Sequence, residues 1–146
     1  NSLPTGGNVF LSLRDMDKAD AIPLAKELVQ LGFTIYATCG TATTLFNAGV
    51  KNVKALFKIS EGHPNVVDYI YDHNIKWIIN TPSTGITQRV DEIHMRAQAV
   101  VRGVPITTTI DGLEAAIDGL KAIKEMGRLE VCSIQEYHRQ MLNLDL

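Results

Sequence analysis

The sequence predicts an α/β fold in three layers, with a five-stranded parallel sheet between two layers of helices. Short apolar runs that are rich in β-branched residues alternate with segments whose apolar residues recur at helical spacing. Glycine and polar residues separate the two kinds of segment. Strands that alternate with helices are joined by right-handed crossovers, and such connections make neighbouring strands parallel.

Length and composition indicate one domain without a nucleic-acid or membrane partner. The 146 residues suffice for one continuous core, and 14 basic against 16 acidic side chains give a net charge of -2. No apolar run approaches membrane-spanning length. The two cysteines lie far apart, so we expect a reduced, cytoplasmic setting. We expect residues 1–7 to be a linker or an added remnant, and residues 8–146 to be the domain.

The elements follow from the same patterns, taken in chain order. Strands are predicted at residues 8–13, 33–37, 53–57, 76–80 and 105–108. Helices are predicted at residues 21–31, 41–48, 66–73, 91–102 and 109–126. Residues 81–88 lack periodicity and are predicted as an irregular loop. Residues 129–132 are predicted as an added edge strand that precedes a last short helix through Tyr137 and Met141.

Two of the helices carry more specific expectations. With Asp20 as N-cap, Pro23 falls in the first turn of the first helix, where its missing N–H removes no helix bond. Lys18 would then lie just before that helix, on the loop side of the sheet. In the fourth helix the apolar spacing predicts an inward face made of Ile93, Ala97 and Val100 or Val101.

The turn after the second strand predicts an anion site. Thr38, Gly40 and Thr41 connect a buried strand to a short helix. This arrangement directs unpaired backbone N–H groups, the positive end of the helix dipole and two hydroxyls at one point, which suits a phosphate. The alternative is that Thr38 or Thr41 only caps the helix and that Gly40 only relieves backbone strain.

Other polar segments are expected at the same edge, because parallel α/β sheets bind ligands beyond the carboxyl ends of their strands. They contribute hydroxyls, amides and lysines without an obvious nucleophile–base pair, so no catalytic or metal-binding residue is predicted. The alternative is that Lys18 and Lys58 are ordinary solvated lysines and that Asn80 only caps its loop. The segments at this edge are residues 14–18, 38–41, 58–63, 80–87 and 107–109.

Five motifs together resemble the methylglyoxal-synthase-like domain, which has a Rossmann-like fold. More narrowly, they are similar to the C-terminal allosteric domain of the large chain of carbamoyl-phosphate synthase. The resemblance covers nearly all of residues 7–141. The motifs are FLSL at 10–13, ATCGTA at 37–42, EGHPN at 61–65, INTPS at 79–83 and PITT at 105–108.

The branches of this family differ in chemistry. Methylglyoxal synthase uses an aspartate as general base in a Gly-Gly-Asp loop after the third strand, whereas residues 60–64 here contain no aspartate. The lysine-rich segment of the purine-pathway cyclohydrolase is not found after this edge. The resemblance therefore implies a non-catalytic regulatory domain, with a lyase that acts on a phosphorylated substrate as the alternative.

The resemblance implies a nucleotide effector, typically UMP or IMP, and a set of residues that would hold it. Lys18, Thr38, Thr41 and Lys58, with the turn at Gly40, would hold the phosphate. Asn80 and the following loop would hold the ribose. One family threonine is replaced by Pro82, which has no hydroxyl and no N–H. Either the ribose contact falls to Thr81, Ser83 or Thr84, or the choice of effector differs.

The resemblance also implies a parent enzyme. The expected partners are the remaining domains of the large chain and a glutaminase small chain, and self-association is left open. No cofactor is expected in this domain, whereas ATP and a divalent metal are implied for the parent. That enzyme would supply carbamoyl phosphate for pyrimidine and arginine synthesis.

Overall fold

The computed structural model describes residues 3–72 and 74–144, without the side chains of residues 143 and 144. Within them, a five-stranded parallel sheet has the order β3-β2-β1-β4-β5. The three-layer α/β/α prediction is therefore confirmed. The strands are β1 Gly7–Ser12, β2 Phe33–Thr38, β3 Lys54–Leu56, β4 Ile75–Asn80 and β5 Ile106–Thr107. The helices are α1 Asp15–Gln30, α2 Cys39–Asn47, α3 Val66–Tyr71, α4 Ile86–Arg102 and α5 Ile110–Leu144.

Two apolar layers cover the sheet, one on each face. Alternate residues of β1 point to opposite sides, so that Val9 and Leu11 join one buried cluster and Phe10 joins the other. The first cluster contains side chains of α1, α2 and α5, and the second contains side chains of α3 and α4. Lys121 of α5 and Glu27 of α1 form an ion pair that ties these two helices together.

The prediction for the start of α1 was wrong. The helix begins at Asp15, so Lys18 lies within it, and Pro23 lies inside the helix rather than in its first turn. The first turn is instead stabilised by acidic residues near the positive end of the helix dipole. Ion pairs three residues apart, Arg14–Asp17 and Asp15–Lys18, connect the polar residues. These residues carry no apolar periodicity, which is why the pattern missed this turn.

The prediction for the end of the chain was also wrong. Residues 129–132 form no edge strand, because α5 continues as one helix from Ile110 to Leu144. The second half of α5 is exposed, and ion pairs within the helix, such as Arg128 with Glu125, bridge successive turns. Part of the predicted irregular loop is helical as well, since α4 begins at Ile86. The predicted end of α3 at His73 lies outside the described residues.

The inward face predicted for α4 was wrong as well. Ile93, Val100 and Val101 are 66%, 75% and 76% exposed, and Ala97 is exposed as well. Met95 and Ala99, on the other side of the helix, are buried against the sheet instead. The apolar spacing was detected correctly, but it does not say which side of a helix meets the core. The apolar side of α4 therefore faces away from the sheet.

Candidate functional site

A cavity of about 560 Å³ opens at the carboxyl ends of the strands. Its volume lies in the range of small-molecule sites. The β1–α1 segment, the start of α2, the segment after β3, and the loop before α4 all contribute to its walls. The cavity is lined by five of the predicted site residues, namely Lys18, Thr38, Gly40, Lys58 and Ser83. Its apolar wall includes Phe10, Phe57, Ile59, Val66 and Met95.

One end of the cavity is cationic. The Lys18 Nζ atom lies 2.7 Å from a carboxylate oxygen of the exposed Asp15. The hydrogen bond from Lys18 and the positive charge of Lys18, together with the charge of Lys58, hold the pKa of Asp15 below its ordinary value. Both lysines therefore act on the same small region at the mouth of the cavity. The Asp15 side chain is 96% exposed and that of Lys18 is 18% exposed, so solvent screens the pair from the Asp15 side and the pair contributes little to stability.

The start of α2 lies at this cationic end. Its N-cap is Thr38, whose side chain makes no capping hydrogen bond. Instead, the Thr38 hydroxyl donates to the Thr41 Oγ1 atom over 3.4 Å. The first-turn N–H groups of α2 thus lack a side-chain cap from Thr38.

Thr41 lies beneath the cavity rather than in its wall. It is buried, and its Oγ1 atom accepts a hydrogen bond from the Leu13 N–H at 3.3 Å. This bond ties the start of α2 to the end of β1. The structure therefore places Thr41 where it supports the turn.

Asn80 is a buried link between β1 and α4. Its Nδ2 group donates to the Ser12 carbonyl at 3.1 Å. Its Oδ1 atom accepts from Arg96 at 2.9 Å for Nη2 and 3.2 Å for Nε. Both ends of the amide are thus engaged with protein groups, and Asn80 lies behind the residues that line the cavity.

Thr81 forms a similar link. Its backbone N–H donates to the Ser12 carbonyl at 3.2 Å, and its Oγ1 atom accepts from the Arg14 N–H at 2.9 Å. The Thr81 side chain is buried. It therefore fixes the backbone at the point where the chain leaves β1 for the helix that carries Lys18.

Two loops beside the cavity are attached to α4. The Ser83 N–H donates to Glu92 at 2.8 Å, and both the N–H and the hydroxyl of Ser60 donate to Asp91. The sequence analysis placed Arg14 at this edge without giving it a role, and it did not select Asp91 or Glu92. These two acidic residues lie within a predicted helix rather than after a strand end, so the rule that collected the edge residues did not include them.

The loop before α3 is ordered by a capping box. The Asn65 side chain accepts from the Val67 N–H, and Asp68 accepts from the Asn65 N–H at 2.8 Å. The His63 ring lies 2.8 Å from the same carboxylate. Hydrogen bonds from Asn65 and then from His63 hold the pKa of Asp68 below its ordinary value.

Within the described residues, no group of three or more His, Cys, Asp or Glu side chains could hold a metal ion. The same part of the chain contains no helix with the length and apolarity needed to cross a membrane.

Sequence comparison identifies relatives that are much longer than this chain. The carbamoyl phosphate synthase large chain of Acidobacterium capsulatum is 45% identical over 120 residues, which are 82% of this chain and 11% of that protein. The C-terminal section of the Aquifex aeolicus large chain is 43% identical over 140 residues, which are 93% and 26% of the two chains. The corresponding section from Methanocaldococcus jannaschii is 42% identical over 142 residues, 97% and 22% respectively. This chain thus spans between a tenth and about a quarter of these relatives.

Structural comparison supports the fold. Methylglyoxal synthase from Elizabethkingia anophelis superimposes with a TM-score of 0.62 at 16% identity, over 79% of each chain. The crystal structure of ForH gives a TM-score of 0.56 at 20% identity, over 84% of this chain and 82% of the other.

The family model of the MGS-like domain matches residues 20–108, which are more than half of the chain. This match includes the start of α2, the loop before α3, and β4 with the loop that follows it. The chain therefore belongs to the MGS-like domain family, and its sequence is similar to the C-terminal section of carbamoyl phosphate synthase large chains.

Proposed function

We propose that this chain is a regulatory domain of a carbamoyl phosphate synthase large chain, and that it binds a nucleoside monophosphate of the UMP or IMP type. The observation that carries the proposal is the convergence of Lys18 and Lys58 on the mouth of the cavity beside the uncapped start of α2. Two ammonium groups and the helix N-terminus favour an anion with several acceptor oxygens, such as a phosphate.

The rest of the cavity suits the remainder of a nucleotide. Ser83 and Thr84 offer hydroxyl groups for a ribose, and the apolar wall offers a surface for a base. Asn80 and Thr81 would act mainly by holding the strand ends in place, because their side chains are buried and bonded to protein groups. In this arrangement Ser83 and Thr84 take the contact that Pro82 cannot make.

The carboxylates around the cavity support a binding role rather than catalysis by this domain. Asp15 is paired with Lys18 and has a lowered pKa, which makes it a weaker base. Asp91 accepts from Ser60, and Glu92 accepts from Ser83. A general base needs a carboxylate directed at substrate, whereas these groups hold the loops that surround the cavity.

We extend the proposal to a parent enzyme, and the long relatives support its being a carbamoyl phosphate synthase large chain. The proposed parent is an ATP-dependent ligase that requires a divalent metal and acts in the cytoplasm with a glutaminase small chain. It would supply carbamoyl phosphate for pyrimidine and arginine synthesis. The effector would act by binding two states of that larger enzyme unequally.

Calorimetric titration of the chain with UMP, IMP and phosphoribosyl pyrophosphate tests the proposal. Removing the Lys58 ammonium in a Lys58→Ala variant should cost roughly 1.5–3 kcal/mol of binding energy. The affinity for nucleotide should therefore fall about tenfold or more. The matched control is Lys51→Ala, which removes an exposed lysine from the turn before β3, at the opposite edge of the sheet. Equal affinity of the Lys58→Ala variant and the original chain would contradict the phosphate role of Lys58.

The lyase alternative needs a separate assay. The chain is incubated with dihydroxyacetone phosphate, and release of methylglyoxal is measured. We expect no turnover above the rate of the buffer alone. Sustained turnover that scales with protein concentration would replace the regulatory assignment with the lyase.

A further inference from the structure

The outer side of α4 carries a continuous apolar strip, which we call the α4 strip. Its members are separated by four, three, four and three residues, with one further valine beside the last, so they lie on one face of the helix. The large members are exposed by between 60% and 84%. The α4 strip consists of Ile86, Val90, Ile93, Ala97, Val100 and Val101.

The opposite side of α4 already packs against the domain. Met95 and Ala99 join the core cluster on that face of the sheet, and Glu92 is buried beside the cavity. The helix therefore has one face for its own core and a second apolar face that nothing in the described residues covers. Single exposed apolar side chains are common, but a contiguous strip indicates an interaction surface.

The dimensions of the α4 strip favour a tethered partner over a second copy. Its members span about 20 Å of helix length at roughly 1.5 Å per residue, and the strip is about one helix wide. A stable dimer usually buries about 800 Å² on each partner, which is more than such a strip offers. Domains of one chain can be held by smaller contacts, because the linker keeps their effective concentration high.

The charges along the α4 strip also favour a tethered partner over a second copy. Arg89 lies at one border and His94 at the other, and both are exposed. The acidic residues of the helix, Asp91 and Glu92, are bonded to Ser60 and Ser83. If two copies paired through this strip, Arg89 of each copy would face a strip that offers no carboxylate partner. A partner with carboxylates beside an apolar patch complements it better.

We infer that the α4 strip docks a neighbouring domain of a longer chain, through an apolar patch bordered by Asp or Glu. The inference uses from the proposed function only that the chain is part of a large chain. The relatives support this part of the argument, since this chain spans only 11% to 26% of their length. Docking on α4 would place the neighbouring domain on the helix that holds both Ser60 and Ser83 at the cavity.

The test measures thiol accessibility at the centre of the α4 strip. An Ile93→Cys variant is made in the 146-residue chain and in the full large chain, and maleimide labelling is read on the peptide that contains residue 93. Labelling should be at least about tenfold slower in the large chain, as expected when the docked state holds over about nine-tenths of the molecules. Adding Val90→Asp should restore fast labelling, because it places a carboxylate against the acidic border. Adding Lys51→Asp, away from the α4 strip, should leave the labelling of residue 93 slow.

Two results would overturn the inference. One is equal labelling of residue 93 in the short and the long chain. The other is a concentration-dependent dimer of the 146-residue chain in sedimentation velocity that Ile93→Glu dissociates, because a second copy would then be the occupant. Neither result depends on nucleotide binding, so failure of the docking inference and failure of the effector proposal are distinguishable.

Discussion

The ammonium nitrogen of Lys18 lies 3.0 Å from the position that a Cβ atom on Gly40 would occupy. The two residues belong to different helices, α1 and α2, and both line the cavity. A side chain at residue 40 would therefore compete with the lysine for the same space. The absence of a side chain at Gly40 allows Lys18 to lie close over the start of α2.

Replacing Gly40 by alanine should weaken anion binding. The added methyl group has to displace the flexible end of Lys18, which moves the charge away from the first turn of α2. We expect the affinity for UMP and for inorganic phosphate to fall by about tenfold, equivalent to roughly 1.4 kcal/mol. Isothermal titration calorimetry measures this change. Gly119→Ala is the control, because a methyl group there meets nothing within 4 Å, and an unchanged affinity at Gly40→Ala would refute the steric role.

Replacing Arg96 by methionine should destabilise the domain. The variant keeps an apolar stem but removes both donors to the Oδ1 atom of Asn80, which is 1% exposed. Hydrogen bonds to charged groups contribute about 1.5–3 kcal/mol, so the unfolding free energy in urea should fall by that order. Arg89→Met, an exposed change on the same helix, should cost less than about 0.5 kcal/mol. Similar losses in the two variants would mean that the Arg96–Asn80 contact is not a specific source of stability.

Stability should fall in acid partly through Asp68. The pKa of this carboxyl is held below its ordinary value of 3.8 by Asn65 and His63. A lowered pKa in the folded state means that the ionised form favours folding, so this contribution is complete above pH 3.8 and is lost as the pH falls through the folded value. In Asp68→Asn, the decline of the unfolding free energy below about pH 4 should be shallower. Asp20→Asn, at an exposed residue of α1, should follow the original profile, and an unchanged slope for Asp68→Asn would exclude this source of acid sensitivity.

Removing the second half of α5 should leave the domain folded. Leu113, Ile117 and Leu120 of α5 are buried, whereas Leu129 and Val131 are 57% and 54% exposed. A chain that ends at Met126 should keep its melting temperature within about 3 °C, because exposed residues contribute little to stability. Circular dichroism follows both the melting temperature and the loss of helical signal. A much larger drop in melting temperature would show that residues 127–144 pack against the domain.

Part of the fold could be predicted from the sequence because each strand is short, apolar and flanked by polar or glycine residues. All five strands were located this way, and the parallel sheet followed from their alternation with helices. The boundaries that failed have a common cause. The first turn of α1 contains charged residues, such as Asp15 and Lys18, and its stabilisation comes from local ion pairs rather than apolar spacing.

The candidate site shows the same division. Lys18, Thr38, Gly40, Lys58 and Ser83 line one cavity, as their positions after strand ends suggested, but their role in binding stays a prediction. The network behind them could not be read from the sequence. Its hydrogen bonds join residues that are far apart in the chain, such as Leu13 with Thr41 and Arg14 with Thr81.

The sequence by itself determined the element types, the order of strands and helices, and the membership of the MGS-like domain family, because these depend on local patterns of apolar, glycine and polar residues. Only the tertiary structure decided that Asn80 is bonded to Ser12 and Arg96, and that the α4 strip faces away from the sheet. Periodicity places residues on a common face of a helix, but the direction of that face depends on what the rest of the chain packs against it. In α4 the core accepts Met95 and Ala99, and the more continuous apolar face is left for a partner.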